Sequence, residues 1–374
     1  MRKMESKVIV ISAVNLNVGG TLTILRDCLA YLSDFAKDND YRIIAIVYKR
    51  ELAEFPNIEY IETQWPKKRW INRLWYEYVS MKKISKEIGP VHLWLSLHDT
   101  TPNVISQRRA VYCHNPFPFY DWRWRELFFA PKIVLFALFS RFIYQKNIQK
   151  NDFIIVQQQW IREAFLRMFL LKPSDIIVAL PDKPVVHEVI NLSNDNSGLI
   201  FVYPASPNSH KNFECLAEAT KVLSEAGIRN FQVNITVTGM ENAYARWLYK
   251  QWGNVPMLNF IGFKSRQDLF QLYAASDCLV FPSKVETWGL PITEFAAFDK
   301  VMLLADLPYA HETASGCSHV AFFDPDKPEK LADLMANLIH GNVTDLDIVR
   351  SKNIPAPVVD SWKAMFDILL EPGK

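Results

Sequence analysis

The chain alternates short apolar runs with longer stretches in which apolar residues recur every three or four positions. This alternation is typical of parallel β-strands joined by amphipathic helices. In the first half, apolar runs bounded by turn residues predict seven strands, at 8–13, 42–47, 58–62, 91–97, 110–113, 152–156 and 175–179. Helical spacing predicts helices near 22–35, 71–88 and 160–169. The predicted fold class is therefore α/β, with a parallel sheet covered on both faces.

The second half repeats the alternation of strands and helices after a segment of different composition. Residues 181–197 are rich in Pro, Asn, Ser and Asp and show no regular period, which is typical of a linker. Beyond it we predict strands at 199–203, 232–238, 257–261, 278–281, 301–305 and 320–323, and helices at 212–226, 266–275, 328–339 and 358–370. The predicted domains are 1–185 and 186–355, with a C-terminal helix in 356–374 that packs back on the first domain. A ligand is expected in a cleft between the domains.

The composition argues against several other classes of protein. The chain has 374 residues and a formal net charge of +2, which argues against nucleic acid as the main partner. Its five cysteines are scattered and lack a Cys-x-x-Cys spacing, so neither a zinc site nor a disulfide framework is expected. The short polar stretch before the first strand predicts no signal peptide, and no apolar run is long enough to span a membrane. A reducing cytoplasm fits these features.

The stretch from Phe281 to Glu294 is where the sequence concentrates its chemistry. A buried strand leads through a tight loop into a helix with Pro291 at its first position. Gly289 lets the backbone turn closely, and the free N–H groups of the following helix can hold a phosphate. The carboxylates of Glu286 and Glu294 would flank the same pocket, where sugar hydroxyls are suitable partners. The alternative is a plain helix preceded by a solvated acid, with Glu294 stabilising its first turn.

Three further candidates stand at predicted strand ends, where open parallel sheets bind ligands. Gly19 and Gly20 follow the first strand and can bring backbone close to a substrate, or can form an ordinary tight turn. His114 follows the fifth strand and is either a ligand contact or a structural histidine. Lys211 lies at a strand-to-helix turn, from which its ammonium and the loop 287–290 would converge on one diphosphate.

Two stretches mix basic and aromatic residues. Residues 65–83 combine Trp, Tyr, Lys and Arg, which suits an anionic membrane surface. The alternative is a helix that buries its rings in the core and leaves its lysines in solvent. The second stretch, 117–144, ends in the apolar segment 133–144. We expect that segment to be buried, because a helix that is apolar all round usually packs inside a protein.

Taken together, these features resemble the family 4 glycosyltransferases of the GT-B fold, in which two Rossmann-like parallel-sheet domains face each other across a cleft. The most specific part is the Glu-x7-Glu spacing of Glu286 and Glu294 within Pro-Ser-x-x-Glu-Thr-Trp-Gly-Leu-Pro. The motifs that accompany it are Phe260-Ile261-Gly262 and Tyr273-x-x-x-Asp277. A subgroup from bacterial O-antigen and surface-polysaccharide assembly is similar in three further motifs, Tyr203-Pro204-Ala205, Lys211-Asn212-Phe213 and His114-Asn115-Pro116.

The resemblance implies a role for each candidate residue. Glu286 would contact hydroxyls of the transferred sugar, Lys211 would neutralise the leaving diphosphate, and His114 would reach the donor sugar from the acceptor-binding N-terminal domain. The remaining residues would bind the nucleotide sugar: Gly19, Gly20, Gly262, Thr287, Gly289, Leu290 and Glu294. Among these, Glu294 would bind the ribose and Gly262 would line the base pocket.

The implied activity is retaining transfer of a hexose from a UDP- or GDP-linked donor to a polyprenyl-diphosphate-linked saccharide. It would take place in the cytoplasm, with the protein peripheral on the inner face of the bacterial inner membrane. No cofactor or metal is expected, because no Asp-x-Asp metal motif is expected at a strand end, so that positive charge and helix dipoles would stabilise the departing diphosphate. The alternatives are a catalytically silent GT-B protein that binds nucleotide sugar or lipid carrier as a scaffold, and a nucleotide-sugar epimerase.

One departure from the family pattern concerns the diphosphate. The arginine that usually precedes the lysine by several residues is missing, and residues 205–210 offer only His210. The diphosphate would then depend on Lys211 alone, unless Arg266, Lys264 or another group compensates.

Overall fold

A computed structural model describes residues 6–120, 122, 124, 126–129, 131–181 and 198–371 of the chain. The chain forms two compact units. The first contains Met1–Asn115, Phe139–Asp182 and Ile354–Lys374, and the second contains Pro116–Leu138 and Lys183–Asn353. The predicted boundary and most of the predicted linker lie in 182–197, outside the described residues.

Both units are built from parallel strands alternating with helices. The strands are β1 (Lys7–Ala13), β2 (Tyr41–Val47), β3 (Ile58–Glu62), β4 (Val91–Ser96), β5 (Arg108–Cys113), β6 (Phe153–Val156), β7 (Ile176–Ala179), β8 (Leu199–Tyr203), β9 (Phe231–Ile235), β10 (Leu258–Phe260), β11 (Cys278–Phe281), β12 (Val301–Ala305), β13 (Val320–Phe323) and β14 (Val358–Val359). The α-helices are α1 (Gly19–Asp38), α2 (Trp70–Trp75), α3 (Met81–Ile88), α4 (Glu126–Phe129), α5 (Pro131–Gln145), α6 (Gln159–Met168), α7 (Phe213–Glu225), α8 (Ala243–Trp252), α9 (Arg266–Ala275), α10 (Leu290–Ala296), α11 (Pro308–Thr313), α12 (Pro328–Ile339) and α13 (Trp362–Leu370).

The first unit contains an eight-stranded sheet in the order β14-β7-β6-β5-β4-β1-β2-β3. Its strand pairs are parallel throughout. Ile9 and Ile11 of β1 pack with α1 and α13 on one face, whereas Val8 and Val10 pack with Tyr76 on the other. Because both faces are covered, the strands are almost continuously apolar, as the sequence predicted.

The second unit contains a six-stranded parallel sheet in the order β10-β9-β8-β11-β12-β13. In each sheet the strand order reverses once, between β1 and β4 in the first unit and between β8 and β11 in the second. Loops that leave the carboxyl ends of the strands on either side of such a reversal diverge and leave room for a ligand. The predicted α/β class with two parallel-sheet domains is confirmed.

Three local predictions need correction. Gly19 and Gly20 do not form a loop ahead of the first helix, because α1 already begins at Gly19. The predicted helix 71–88 is interrupted by a π turn at Tyr76–Ser80 between α2 and α3. The predicted C-terminal helix begins at Trp362, because Val358 and Val359 instead form β14 beside β7.

The expectation that residues 133–144 are buried is wrong for one face of α5. Val134 and Tyr144 are buried, but a stripe of large apolar side chains at helical spacing is exposed by about half or more, at Leu135, Leu138, Phe139 and Phe142. We call this stripe the Phe139 surface. Among the described residues, no helix combines the length and the apolar character that crossing a membrane requires.

Candidate active site

The reversal point of the second sheet places two loops side by side. The loop after β8 carries Lys211, and the loop after the neighbouring β11 carries Glu286. Hydrogen bonds join the loops: the Lys284 N–H donates to the His210 carbonyl at 2.8 Å, and the Asn212 side chain donates to the Pro282 carbonyl at 3.1 Å. Asn212 adopts a left-handed backbone with φ 55°, which asparagine tolerates better than most residues. The two loops therefore form one connected structure.

Lys211 and Glu286 form an ion pair in this structure. Their side chains are only 16% and 13% exposed, so the pair is largely screened from water. The Tyr203 hydroxyl donates to the Lys211 carbonyl at 2.7 Å and fixes the lysine's backbone. The sequence predicted that Lys211 faces a diphosphate and Glu286 faces a sugar, and the structure shows in addition that the two charges lie against each other.

Gly289 turns the chain from the loop into α10. Its φ of +88° lies in the left-handed region, and a Cβ at this position would lie 3.3 Å from the Ile292 side chain. The helix is short, seven residues, and it begins at Leu290, so Pro291 is its second residue and not its first. The Thr313 hydroxyl donates to the Trp288 carbonyl and holds the loop from the side. Thr287 and Leu290 thus flank a backbone turn that requires glycine.

Glu294 has partners of its own inside α10. The Tyr273 hydroxyl of α9 donates to its Oε2 at 3.0 Å, and Tyr273 itself is fully buried. Burial raises the pKa of Glu294 above the usual value for glutamate, and the Tyr273 hydrogen bond and the charge of Arg266 oppose that rise. The two glutamates therefore stand in different environments, one paired with a lysine and the other with a tyrosine.

Gly262 lies directly after β10 and approaches the backbone that follows β9. Its N–H donates to the Val237 carbonyl at 3.3 Å, and its φ is +71°. A Cβ on Gly262 would lie 3.0 Å from the Thr238 side chain, so a larger residue would push these loops apart. Glycine is required here by close approach as well as by backbone conformation.

His210 occupies the place where the sequence lacks an arginine, and it does not supply the missing charge. Burial and the neighbouring Lys211 lower its pKa to about 3. Its ring meets Phe117 and Tyr120 edge to face, at centroid distances of 5.2 and 6.2 Å. His210 therefore acts as a neutral packing residue between its loop and the segment that begins at Pro116.

The expectation that no Asp-x-Asp motif stands at a strand end is wrong, because Asp324 and Asp326 form such a pair at the carboxyl end of β13. Asp324 lies 3.0 Å from the Lys327 ammonium, and Asp326 lies 2.8 Å from that of Lys284. Among the described residues, no group of three or more His, Cys, Asp or Glu side chains is arranged to hold a metal ion. Metal independence stays a prediction.

The reversal point of the first sheet carries a buried polar network that sequence reasoning missed. Glu77 accepts from the Arg73 Nε at 2.8 Å and lies 3.4 Å from the His98 Nδ1. The His98 Nε2 in turn lies 3.3 Å from the Ser12 hydroxyl, to which the Trp94 indole donates. Burial lowers the pKa of His98, partly offset by Glu77. His98 follows β4 as His114 follows β5, so the strand-end argument applied to His114 could have found it.

His114 lies after β5 in the first unit, together with Gly19 and Gly20 at the start of α1. Gly19 has a φ of +61°, and a Cβ on either glycine would meet nothing within 4 Å. His114 is almost buried, and its Nε2 lies 3.6 Å from the Asp99 carboxylate. These three residues lie in the first unit, whereas the glutamates and Lys211 lie in the second, so their convergence on one ligand stays a prediction.

Known proteins resemble this chain in sequence and in structure. Residues 188–353 match the family model "Glycosyl transferases group 1". The match covers fewer than half of the 374 residues, so it is the second unit that is similar to this family. The matched residues contain Lys211, Gly262, Glu286, Gly289 and Glu294, so the family match and the connected loops of the second unit concern the same part of the chain.

Further comparisons extend the similarity to both units. The O-antigen chain mannosyltransferase RfbU of Salmonella typhimurium strain LT2 is 19% identical over 270 residues, which cover 70% of this chain and 69% of RfbU. The lipopolysaccharide outer core galactosyltransferase WaaB matches with a TM-score of 0.62 at 12% identity, over 90% of this chain and 91% of WaaB. HepE of Anabaena, solved with UDP and glucose, matches with a TM-score of 0.56 at 14% identity, over 88% and 89% of the two chains. The structural matches show that the fold is GT-B.

Proposed function

We propose that this protein is a group 1 glycosyltransferase, which transfers a hexose from a nucleotide diphosphosugar to a polyprenyl-diphosphate-linked saccharide with retention of anomeric configuration. The observation that carries the proposal is the Lys211–Glu286 ion pair at the reversal point of the second sheet. An ammonium and a carboxylate held together in a largely buried place match the two halves of the donor, which are an anionic diphosphate and a sugar rich in hydroxyls.

In this mechanism the donor separates the ion pair. The Lys211 ammonium moves from Glu286 to the diphosphate and stabilises the negative charge that grows as the glycosidic bond breaks. Glu286 is then free to accept hydrogen bonds from hydroxyls of the sugar, whose transition state has oxocarbenium character. The leaving phosphate oxygen deprotonates the acceptor on the same face of the sugar, so the mechanism requires no protein base.

Glu294 would bind the nucleoside end of the donor. Because the Tyr273 hydroxyl occupies Oε2, the other carboxylate oxygen is available to the ribose hydroxyls. The nearby charge of Arg266 favours the ionised form that such a contact requires. The complex of HepE with UDP and glucose supports a uridine donor, whereas the name of RfbU supports mannose as the sugar.

Two exposed apolar surfaces support a membrane-bound acceptor. The first, which we call the Trp70 surface, consists of Trp70, Ile71, Trp75 and Val79, with exposures from 46% to 71%. Exposed lysines and an arginine border it in the chain, at Lys67, Lys68, Arg69, Lys82 and Lys83. The aromatic rings can enter the headgroup region of a bilayer while the neighbouring cations contact lipid phosphates. This surface therefore suits an anionic bilayer. The second is the Phe139 surface of α5.

Part of the predicted membrane stretch has another role. Tyr76 is buried in the core of the first unit, and the Arg73 side chain is only 19% exposed because it is bound to Glu77. The membrane interpretation therefore applies to the outer face of the helical segment, and the core interpretation applies to its inner face. We propose that the outer face holds the protein at the cytoplasmic surface of the inner membrane.

The lowered pKa of His210 favours one competing function, that of a catalytically silent scaffold. Because its imidazole is neutral, Lys211 is left without the second cation that the family pattern supplies, as expected for a catalytically silent protein that binds nucleotide sugar as a scaffold. Transfer measurements separate the two. Purified protein is mixed with UDP- and GDP-hexoses and a polyprenyl-diphosphate saccharide, and both nucleoside diphosphate and the new glycoside are quantified.

The proposed transferase releases nucleoside diphosphate in proportion to the new glycoside, and nuclear magnetic resonance of the product shows the donor's anomeric configuration. Binding of a nucleotide sugar without transfer to any acceptor would favour the scaffold. Release of an altered nucleotide sugar without any acceptor would favour an epimerase. Inversion of configuration would contradict the retaining mechanism.

A further inference from the structure

Asp99 has an uncommon backbone conformation. Its φ of 71° lies in the left-handed region, which aspartate and asparagine adopt more readily than other side chains with a Cβ. The Asp99 N–H donates to the Tyr112 carbonyl of β5 at 3.2 Å, and the Leu97 N–H donates to the Ser12 carbonyl of β1 at 2.9 Å. The ends of these strands thus hold Asp99 in this conformation.

The conformation directs the Asp99 carboxylate at His114. Its Oδ1 accepts from the His114 backbone N–H at 2.8 Å, and its Oδ2 lies 3.6 Å from the His114 Nε2. The second distance is too long for a hydrogen bond in the free protein, and contacts of this kind commonly shorten when substrate binds. One carboxylate therefore fixes the backbone of the histidine and faces one of its ring nitrogens.

The other ring nitrogen faces no protein partner. The His114 Nδ1 is buried and makes no hydrogen bond with any described residue. The ring is only 8% exposed and lies 6.0 Å from the ring of Tyr112, at an angle of 45°. A buried polar atom left without a partner costs free energy, so this atom is expected to gain one when a ligand binds.

The tautomer of the His114 imidazole determines what each of its two ring nitrogens can bind. A neutral imidazole carries a proton on one nitrogen and a lone pair on the other. A carboxylate beside Nε2 favours the proton on Nε2, and the lone pair then lies on the unpartnered Nδ1. A hydroxyl can donate to that lone pair, whereas a carbonyl or phosphate oxygen cannot.

We propose that Asp99 is a positioning residue that holds His114 as the Nε2–H tautomer, so that Nδ1 accepts a hydrogen bond from a sugar hydroxyl. This inference rests on the proposed function of His114 as a contact of the sugar. It adds a residue that no sequence motif indicated, and it states which histidine nitrogen faces the substrate and what that substrate group must donate. Asp99 itself touches no substrate and acts through the imidazole.

The direct test reads the tautomer and does not depend on glycosyl transfer. The protein has eight histidines, so selective labelling with 15N-histidine gives few signals, and the His114→Gln variant identifies those of His114. We expect the free protein to show a protonated Nε2 and an unprotonated Nδ1. A protonated Nδ1 at neutral pH would overturn the inference, whatever the outcome of the transfer measurements.

Asp99→Asn tests the cause. Asparagine tolerates the left-handed backbone and can still accept from the His114 N–H, but its amide group presents N–H donors to Nε2. We expect the tautomer to invert and kcat to fall by roughly 10- to 100-fold, a range typical for loss of an orienting partner. The KM for the donor should stay within about twofold, because contacts to the nucleotide are unchanged.

The chain offers a matched control for this substitution. His311 and Asp306 form a second Asp–His pair, with 2.7 Å between Nε2 and Oδ1, but both side chains are well exposed. Asp306→Asn should leave kcat within about twofold of the wild-type value. Equal effects of the two substitutions, or an unchanged tautomer in Asp99→Asn, would contradict the proposal.

A double-mutant cycle separates positioning from a general structural effect. If Asp99 acts through the imidazole, Asp99→Asn should change kcat little in a His114→Gln background. Full additivity of the two losses would show that Asp99 acts by another route and would overturn the inference. Thermal unfolding of each variant checks that the fold is retained.

Discussion

The two units carry charged groups at equivalent places, the reversal points of their sheets, but they bury them to different degrees. In the first unit, the Glu77 and His98 side chains are 2% and 1% exposed, and a chain of hydrogen bonds joins them to Arg73 and Ser12. In the second unit, Lys211 and Glu286 pair with one another and keep some exposure to solvent. A network with several internal partners holds its shape, whereas a pair with one partner each can exchange that partner for a ligand.

The difference separates stability from activity. A buried charge that loses its partner is strongly destabilising, because desolvation is no longer offset. The Lys211–Glu286 pair is also largely buried, but it is more exposed than Glu77 and His98, so breaking it should cost less and its charges can be reached by a substrate. We therefore expect substitutions in the first network to act mainly on unfolding, and substitutions in the Lys211–Glu286 pair to act mainly on turnover.

The largest effect is expected for Glu77→Ala, which leaves Arg73 and His98 without their carboxylate. We expect the free energy of unfolding to fall by about 3 kcal/mol or more, measured by denaturant unfolding of the first unit. Glu286→Ala should lower the stability of the second unit by less, because Lys211 and Glu286 are more exposed than Glu77 and His98. A similar loss of stability in both variants would contradict the expected difference between the two units.

Glu286→Gln should lower turnover by about 100-fold or more while leaving the fold intact, because the carboxylate stabilises charge in the transition state. Release of nucleoside diphosphate measures the effect. Glu218→Gln is a suitable control. Glu218 of α7 accepts a hydrogen bond from Trp252 of α8, and it lies outside the two loops that carry Lys211 and Glu286. Near-normal transfer by Glu286→Gln would refute its role.

Lys211→Ala should weaken binding of a nucleoside diphosphate by roughly 10- to 100-fold, the range for loss of one hydrogen bond to a charged group. Binding of the corresponding nucleoside should change much less, because it lacks the diphosphate. Calorimetric titration with both ligands gives the ratio. Equal losses for the two ligands would show that Lys211 supports the loop and does not bind the diphosphate.

A double substitution, Trp70→Ser with Trp75→Ser, should weaken binding to phosphatidylglycerol vesicles by about tenfold, because two rings no longer enter the headgroup region. Co-sedimentation measures the bound fraction, with phosphatidylcholine vesicles to isolate the contribution of charge. Leu170→Ser is the control, because Leu170 is 90% exposed and lies outside both apolar surfaces. Unchanged binding would remove the Trp70 surface from the proposal.

The smallest effect concerns Glu294 and has a defined sign. Burial raises its pKa in the folded protein, so the fold binds this proton more tightly than the unfolded chain does. The free energy of unfolding is therefore higher at acidic pH. It falls as the pH rises from the ordinary pKa of glutamate through the raised pKa of Glu294. Glu294→Gln should weaken this dependence and leave the melting temperature at pH 7 equal or slightly higher, while nucleotide affinity falls. A marked drop in melting temperature at pH 7 would contradict this.

Much of the fold could be predicted because it depends on local patterns. The α9 and α12 helices and strands such as β8 and β11 lie where apolar periodicity predicted them. The Glu-x7-Glu motif indicated the second unit's loop for a similar reason, since its glycine, proline and acids are close in the sequence. The prediction was wrong at Gly19 and Gly20, because α1 begins at Gly19 although the glycines suggested a loop ahead of the helix.

Alone, the sequence determined the alternation of strands and helices, the positions of the loops and the set of chemical groups that those loops carry. Only the tertiary structure decided that Lys211 is paired with Glu286, that His210 is neutral and that Asp99 faces His114. It also decided that α5 exposes its apolar stripe. The physical reason is that burial, pairing and pKa depend on which distant strands lie side by side, whereas periodicity records only what each segment contributes by itself.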